Sequence, residues 1–65
     1  MLTRKEIQVL EFRKKNMTQV EIASKLNISQ AAVSGFERSA YKKIKDAHKI
    51  IEESERLEVD IHDRY

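Results

Sequence analysis

Residues 19–38 read QVEIASKLNISQAAVSGFER, and their small, apolar and turn residues have the spacing of a helix-turn-helix. Ala23 is small, as it must be where a second helix crosses closely over the first. The segment Asn27-Ile28-Ser29 forms the predicted turn, because asparagine adopts the left-handed, chain-reversing conformation more readily than other residues except glycine. The apolar positions predicted to lock the two helices together are Ile22, Leu26, Val33 and Phe36.

Capping signals predict where the helices begin. A capping box pairs an N-cap Ser or Thr with a Glu three residues later, and the sequence contains two, Thr3 with Glu6 and Thr18 with Glu21. We expect helix 1 to run to about Lys15 and helix 2 to span Gln19 to Leu26. Ser29 then caps helix 3.

Helix 3 has no stop signal between residues 30 and 57. One apolar stripe follows helical spacing through the segment, at Val33, Phe36, Ala40, Ile44, Ala47 and Ile51. The pattern predicts either one helix of up to about 42 Å or a break near Ser39 that begins a separate fourth helix. The part of the stripe beyond Ile44 extends past two short helices. We therefore expect a homodimer through Ile44, Ala47 and Ile51.

Composition agrees with an all-α fold. The 65 residues include one glycine, no proline, no cysteine and 37% charged residues. The fold class we predict is a helix-turn-helix three-helix core with a long C-terminal helix. Residues 1–47 would form the DNA-binding domain, and residues 48–65 a C-terminal helix extension with an acidic tail.

Charge is distributed unevenly along the chain. Residues 1–49 carry 11 Lys/Arg against 5 Asp/Glu, and residues 50–65 carry 2 against 6. The first part has the charge of a polyanion binder. Within the tail, Leu57, Val59 and Ile61 alternate as in a strand, although a frayed tail fits equally. No apolar run could span a bilayer and no signal peptide opens the chain, so we expect a cytoplasmic protein without a membrane partner.

The outward face of helix 3 holds the candidate base-contacting residues Gln30, Ala31, Ser34 and Arg38. Arginine can bind guanine O6 and N7, a glutamine amide can pair with adenine, and alanine can meet a thymine methyl. A salt bridge with Glu37 or a phosphate contact is the alternative for Arg38. Gly35 lies on the same side, where the lack of a side chain would allow a duplex to approach the helix backbone closely. The alternative is a glycine that the helix tolerates and that has no role in binding.

Phosphate contacts are expected where helix N-termini present free amides and where lysines add charge. The candidates are Thr18, Gln19, Ser29, Lys25, Lys42 and Lys45. A solvated surface is the alternative for each lysine.

The sequence offers no catalytic constellation, metal site or cofactor site. His48 and His62 have no ligand spacing between them, and the glutamates of the tail have no nucleophile nearby. We expect a protein that is not an enzyme.

The pattern LT…VL…R…TQ.EIA..L..S..AVS..E over residues 2–47 resembles the N-terminal half of the archaeal Tfx-type DNA-binding proteins. More distantly it is similar to the helix-turn-helix of LuxR-type regulators and of region 4 of bacterial sigma factors. The resemblance implies a transcription regulator whose third helix enters the major groove. Gln30 and Ala32 depart from the larger or more polar residues of a typical Tfx recognition helix, so the target sequence does not carry over. Tfx-type proteins also continue into a C-terminal domain, and the chain is either a minimal relative or a fragment.

Together these patterns predict a sequence-specific regulator that binds double-stranded DNA, with two copies reading half-sites about one helical turn apart. The alternative function is a protein-interaction module built on the same scaffold, which contacts RNA polymerase or another regulator through the Ile44–Ile51 stripe or the acidic tail.

Overall fold

The computed structural model describes residues 1–57, which form three helices: α1 (Arg4–Lys14), α2 (Gln19–Leu26) and α3 (Gln30–Arg56). The predicted all-α helix-turn-helix core with a long C-terminal helix is confirmed. Within these residues no helix has the length and apolar character needed to cross a membrane. Val59 and Ile61, on which the strand-like alternation depends, lie outside the described residues.

Both capping boxes form as predicted. The Glu6 amide donates to Thr3 Oγ1 at 3.2 Å, and the Thr3 amide donates to Glu6 Oε1 at 2.7 Å. The Thr18 and Glu21 pair repeats these two bonds at 3.2 and 3.0 Å. Ser29 Oγ accepts from the Ala32 amide at 3.0 Å. The start of each helix is therefore set locally by the sequence.

Two asparagines reverse the chain between the helices. Asn16 follows α1 with φ 65°, and Asn27 follows α2 with φ 55° and ψ 47°. Both lie in the left-handed region, which asparagine enters more cheaply than most residues. The prediction that Asn27 makes the helix-turn-helix turn is correct.

The core is small and lies where the three helices meet. Val9, Ile22 and Val33 are fully buried, one from each helix, and Ala23 is nearly so. Half-buried apolar side chains pack around this centre: Phe12, Met17, Leu26, Ile28 and Phe36. Because the core draws on all three helices, none of them packs without the others.

The third helix is continuous from Gln30 to Arg56, so the alternative of a break at Ser39 is wrong. Ser39 lies inside the helix, and its side chain hydrogen-bonds to the Glu6 carboxylate instead of capping a new helix. The helix is about 40 Å long. Its apolar stripe is buried at Val33 and Ala40 but exposed at Ile44 and Ile51. This is expected for a helix that extends beyond the region covered by α1 and α2.

An ion pair that the sequence patterns did not indicate ties α1 to the middle of α3. The Glu6 side chain is only 2% exposed, and Lys43 Nζ lies 2.8 Å from its Oε1. The same ammonium donates to the Met1 carbonyl at 3.2 Å. The pKa of Glu6 is lowered to about 2, first by the Lys43 hydrogen bond and then by those from Ser39 and Thr3. The interaction thus lies at the level where α3 leaves the three-helix core.

Acid should therefore destabilise the fold partly through Glu6. A carboxylate whose pKa is depressed on folding contributes stability above its unfolded pKa, and that stability is lost as pH falls toward the folded pKa. For Glu6 the window runs from the ordinary value of 4.5 down to about 2. In Lys43→Met, stability should fall at neutral pH and its dependence on pH within this window should shrink. Thermal melts followed by circular dichroism at stepped pH measure both effects.

Lys42→Met is the matched control for this experiment. Lys42 is 78% exposed, and within residues 1–57 its one ion-pair partner is the exposed Asp46, at 3.1 Å. Exposed pairs of this kind contribute little, so Lys42→Met should keep the acid profile of the unmodified protein. If Lys43→Met also keeps that profile, the Glu6–Lys43 pair does not contribute to the stability of the fold.

Candidate nucleic-acid interface

The turn between α2 and α3 fixes the geometry of the candidate interface. The Ile28 amide donates to the Ala23 carbonyl at 3.0 Å, and the Asn27 amide to the Ser24 carbonyl at 3.3 Å. Ile28, the next residue of the turn, is partly buried and packs against the core. The turn is therefore closed by its own backbone, and α3 leaves α2 in a fixed direction.

The four predicted base-contacting residues lie on the side of α3 that faces away from the core. Gln30, Ala31 and Arg38 are exposed, and Ser34 is half-buried. Val33 and Glu37, on the other side of the same turns, are buried. The structure thus brings the four residues onto one surface, which we call the outward face of α3.

Arg38 does not pair with Glu37, so that alternative is wrong. The Glu37 carboxylate points into the protein, where Arg13 Nε lies 3.3 Å from its Oε1 and Gln19 Nε2 donates to the same atom at 3.2 Å. Within residues 1–57 Arg38 takes part in no ion pair. Its guanidinium keeps all its donors for a ligand.

The group of Arg13, Gln19 and Glu37 joins the end of α1, the start of α2 and the first half of α3. Arg13 also donates from Nη1 to the Met17 carbonyl at 3.0 Å. The sequence patterns above do not predict this group. The signal was present, since Glu37 follows Val33 by four residues and so falls on the apolar stripe.

The predicted phosphate-contacting residues divide into three groups. Thr18 and Ser29 are exposed N-caps, and the amides that follow them begin α2 and α3. The Gln19 side chain is instead occupied by Glu37, which leaves only its backbone amide for an anion. Lys25 Nζ lies 5.5 Å from the centroid of the Phe12 ring, a cation–π distance. Lys42 is paired with Asp46, and Lys45 is exposed.

Gly35 has open space where a side chain would be. A Cβ built at this position meets no atom within 4 Å outside the backbone of its own helix. Packing inside the protein therefore does not require glycine here. The residue lowers helix stability and leaves the backbone accessible from outside.

The arrangement of α2 and α3 defines a helix-turn-helix domain. The two helices are joined by a short turn with a left-handed residue, Asn27, and the second helix has an exposed polar face. Residues 1–50 match the family of bacterial regulatory proteins named luxR. The chain belongs to this family, whose members are DNA-binding transcription regulators and not a class of enzymes. The resemblance to Tfx-type helix-turn-helix proteins is confirmed.

One curated relative comes from the archaeon Methanocaldococcus jannaschii and is named "Putative transcriptional regulatory protein MJ0173". It is 46% identical over 50 residues, which cover 77% of this chain and 36% of the relative. The chain thus spans about a third of the relative's length. No solved structure gives a significant match.

Gly35→Ala should move stability and DNA affinity in opposite directions. Alanine stabilises an unstrained helix interior by up to about 1 kcal/mol relative to glycine, and the space is open. On the outward face, the added methyl would obstruct close approach of a duplex. Chemical denaturation and fluorescence anisotropy with a labelled duplex measure the two effects.

Ser24→Ala, an exposed position on α2, is the control for Gly35→Ala. It makes a gain in helix propensity of the same sign but smaller size and should leave affinity unchanged. Unchanged affinity in Gly35→Ala would mean that the backbone at this position does not approach the duplex.

Proposed function

We propose that the chain binds double-stranded DNA by placing the first half of α3 in a major groove, and that it regulates transcription in the cytoplasm. The observation that supports this most directly is the outward face of α3. Its polar side chains are presented to solvent while the buried Glu37 on the other side is held by Arg13 and Gln19. A helix fixed in this way can be offered to a groove without reordering.

Four residues of the outward face carry the proposed base readout. Arg38 donates to O6 and N7 of a guanine, Gln30 pairs with an adenine, and Ala31 meets a thymine methyl. Ser34 adds a hydroxyl that can bond to either kind of base edge. The methyl group of Ala31 and the absence of a side-chain carbon at Gly35 allow the helix to approach the duplex closely, so that Arg38 can reach the base edges.

Phosphates of the same duplex are bound by helix ends and lysines. The free amides that follow Thr18 and Ser29 give α2 and α3 positive ends suited to phosphate oxygens. Gln19 contributes through its backbone amide. Lys25, Lys42 and Lys45 add charge, and the weak exposed pair of Lys42 with Asp46 would yield to a phosphate.

The two parts of the chain have separate tasks in this proposal. Residues 1–47 bind DNA, and residues 48–65 extend the dimerisation surface. That surface is the exposed end of the stripe, formed by Ile44, Ala47 and Ile51. The two isoleucines are 46% and 40% exposed and continue the stripe that is buried at Val33 and Ala40, and a continuous exposed apolar surface is typical of an interaction site.

The same exposed stripe supports a second candidate function, a protein-interaction module that contacts RNA polymerase or another regulator. The dependence of binding on salt concentration distinguishes the two candidate functions. Duplex binding that uses several phosphate contacts weakens steeply as salt rises, because counterions are released. Apolar docking of a protein has no such dependence. No duplex binding even at low salt would contradict the DNA-binding proposal and favour the module.

Arg38→Ala should cost about 1–3 kcal/mol of specific binding, because a bidentate base contact is lost. The fold should be retained, since Arg38 is exposed. Fluorescence anisotropy with a duplex selected from a random pool, and with the same duplex substituted at each guanine, measures affinity and site preference.

Arg56→Ala is the control for Arg38→Ala, because it removes an exposed arginine of the same helix at the end far from the core. It should leave base preference unchanged. If Arg38→Ala weakens all duplexes equally, Arg38 contacts only the backbone.

A further inference from the structure

Tyr41 is an exposed aromatic residue of α3 that none of the proposed DNA contacts uses. It is 53% exposed. Within residues 1–57 its hydroxyl makes no hydrogen bond to another residue. A tyrosine hydroxyl can both donate and accept a hydrogen bond. The fold therefore leaves this group available to a ligand.

Helical geometry places Tyr41 on the outward face of α3. An α-helix advances 100° per residue, so Tyr41 lies roughly 20° around the axis from Gln30 and, in the other direction, roughly 20° from Ser34. Arg38 lies roughly 60° away. The helix is continuous through all four positions. A duplex that meets the other three residues therefore also faces Tyr41.

The position of Tyr41 along the helix indicates which part of a duplex it meets. The proposed base contacts run from Gln30 to Arg38, and Tyr41 lies about 4.5 Å further along the axis. In helix-turn-helix complexes the N-terminal residues of the recognition helix contact base edges, and in the related homeodomains the C-terminal end of this helix contacts the DNA backbone. Tyr41 lies on the C-terminal side of the base contacts, where phosphates are the expected partners.

The charges around Tyr41 also favour a phosphate. Arg38 lies three residues before it and Lys45 four residues after it, and both are exposed. Neither takes part in an ion pair within residues 1–57. Glu37, one turn before Tyr41, is buried and paired with Arg13. The surface around the Tyr41 hydroxyl is therefore positive, which attracts the oxygens of a phosphate.

We infer that the Tyr41 hydroxyl donates a hydrogen bond to a DNA phosphate oxygen at the edge of the major groove that the first half of α3 enters. Such a contact positions the helix on the duplex without reading its sequence. Its donor is uncharged, so it differs from the lysine contacts in its dependence on salt. The inference rests on the proposed DNA binding and adds a contact to the same site.

Tyr41→Phe tests the inference because it removes the hydroxyl and keeps the ring. Affinity for a duplex selected from a random pool, measured by fluorescence anisotropy, should fall about three- to tenfold. Duplexes with single base-pair changes should lose affinity by the same factor, because a phosphate contact carries no sequence information. The slope of log affinity against log salt should not change, because an uncharged donor releases no counterions.

Two control variants accompany Tyr41→Phe. Lys45→Met removes an exposed charge from the same side of α3 and should reduce the salt slope by about 1. Ser24→Ala removes an exposed hydroxyl from α2 and should leave affinity unchanged. Unchanged affinity in Tyr41→Phe, or a loss that depends on one base pair, would overturn the inference and leave the proposed DNA binding intact. Failure of the unmodified protein to bind any duplex would overturn both.

The phosphate that Tyr41 contacts can be located by replacing phosphates one at a time. Each test duplex carries a single uncharged methylphosphonate, and its affinity is measured for the unmodified protein and for Tyr41→Phe. At one position the replacement should weaken the unmodified protein more than the variant, because the two changes remove the same contact. Equal losses for the two proteins at every position would show that the hydroxyl contacts no phosphate, and would overturn the inference.

Discussion

The buried carboxylate of Glu37 is the constraint on which the recognition geometry depends. It lies on the inner side of the helix that carries Arg38, and it is held by Arg13 of α1 and Gln19 of α2. A carboxylate removed from water is costly unless it is paired and hydrogen-bonded. The three helices must therefore keep one relative orientation to satisfy it. Adjacent residues of α3 thus have opposite tasks, since Glu37 fixes the helix and Arg38 faces outward.

A second buried carboxylate, that of Glu6 in α1, fixes α3 at a later point, Lys43. Glu6 accepts from Lys43 at the level where α3 leaves the core. Beyond that level the helix has no further support from α1 or α2, yet it stays in register with its first half. Because a single rigid helix carries both the outward face and the exposed stripe, contacts made by one surface set the direction of the other.

Much of this fold could be predicted from the sequence because its signals are local. Thr3, Thr18 and Ser29 each fix a helix start within four residues, and Asn27 fixes the turn. The partners of Glu6 and Glu37 could not be predicted, because Lys43 and Arg13 lie 37 and 24 residues away. The position of Gln19 at a helix start predicts phosphate binding, but a hydrogen bond to Glu37, 18 residues away, occupies its side chain instead. The sequence also does not decide whether α3 continues past Ser39, since a serine can either cap a new helix or hydrogen-bond to a neighbouring helix.

The central claim is that the outward face of α3 is the surface that meets DNA. Backbone amide NMR of the labelled protein, recorded while a short duplex is added, tests it most directly. The largest changes should fall on Ala31, Ser34 and Arg38 and on the first amides of α2, with small changes from Ile51 to Leu57. Changes concentrated at Ile51 to Leu57, with Gln30 to Arg38 unaffected, would contradict the claim.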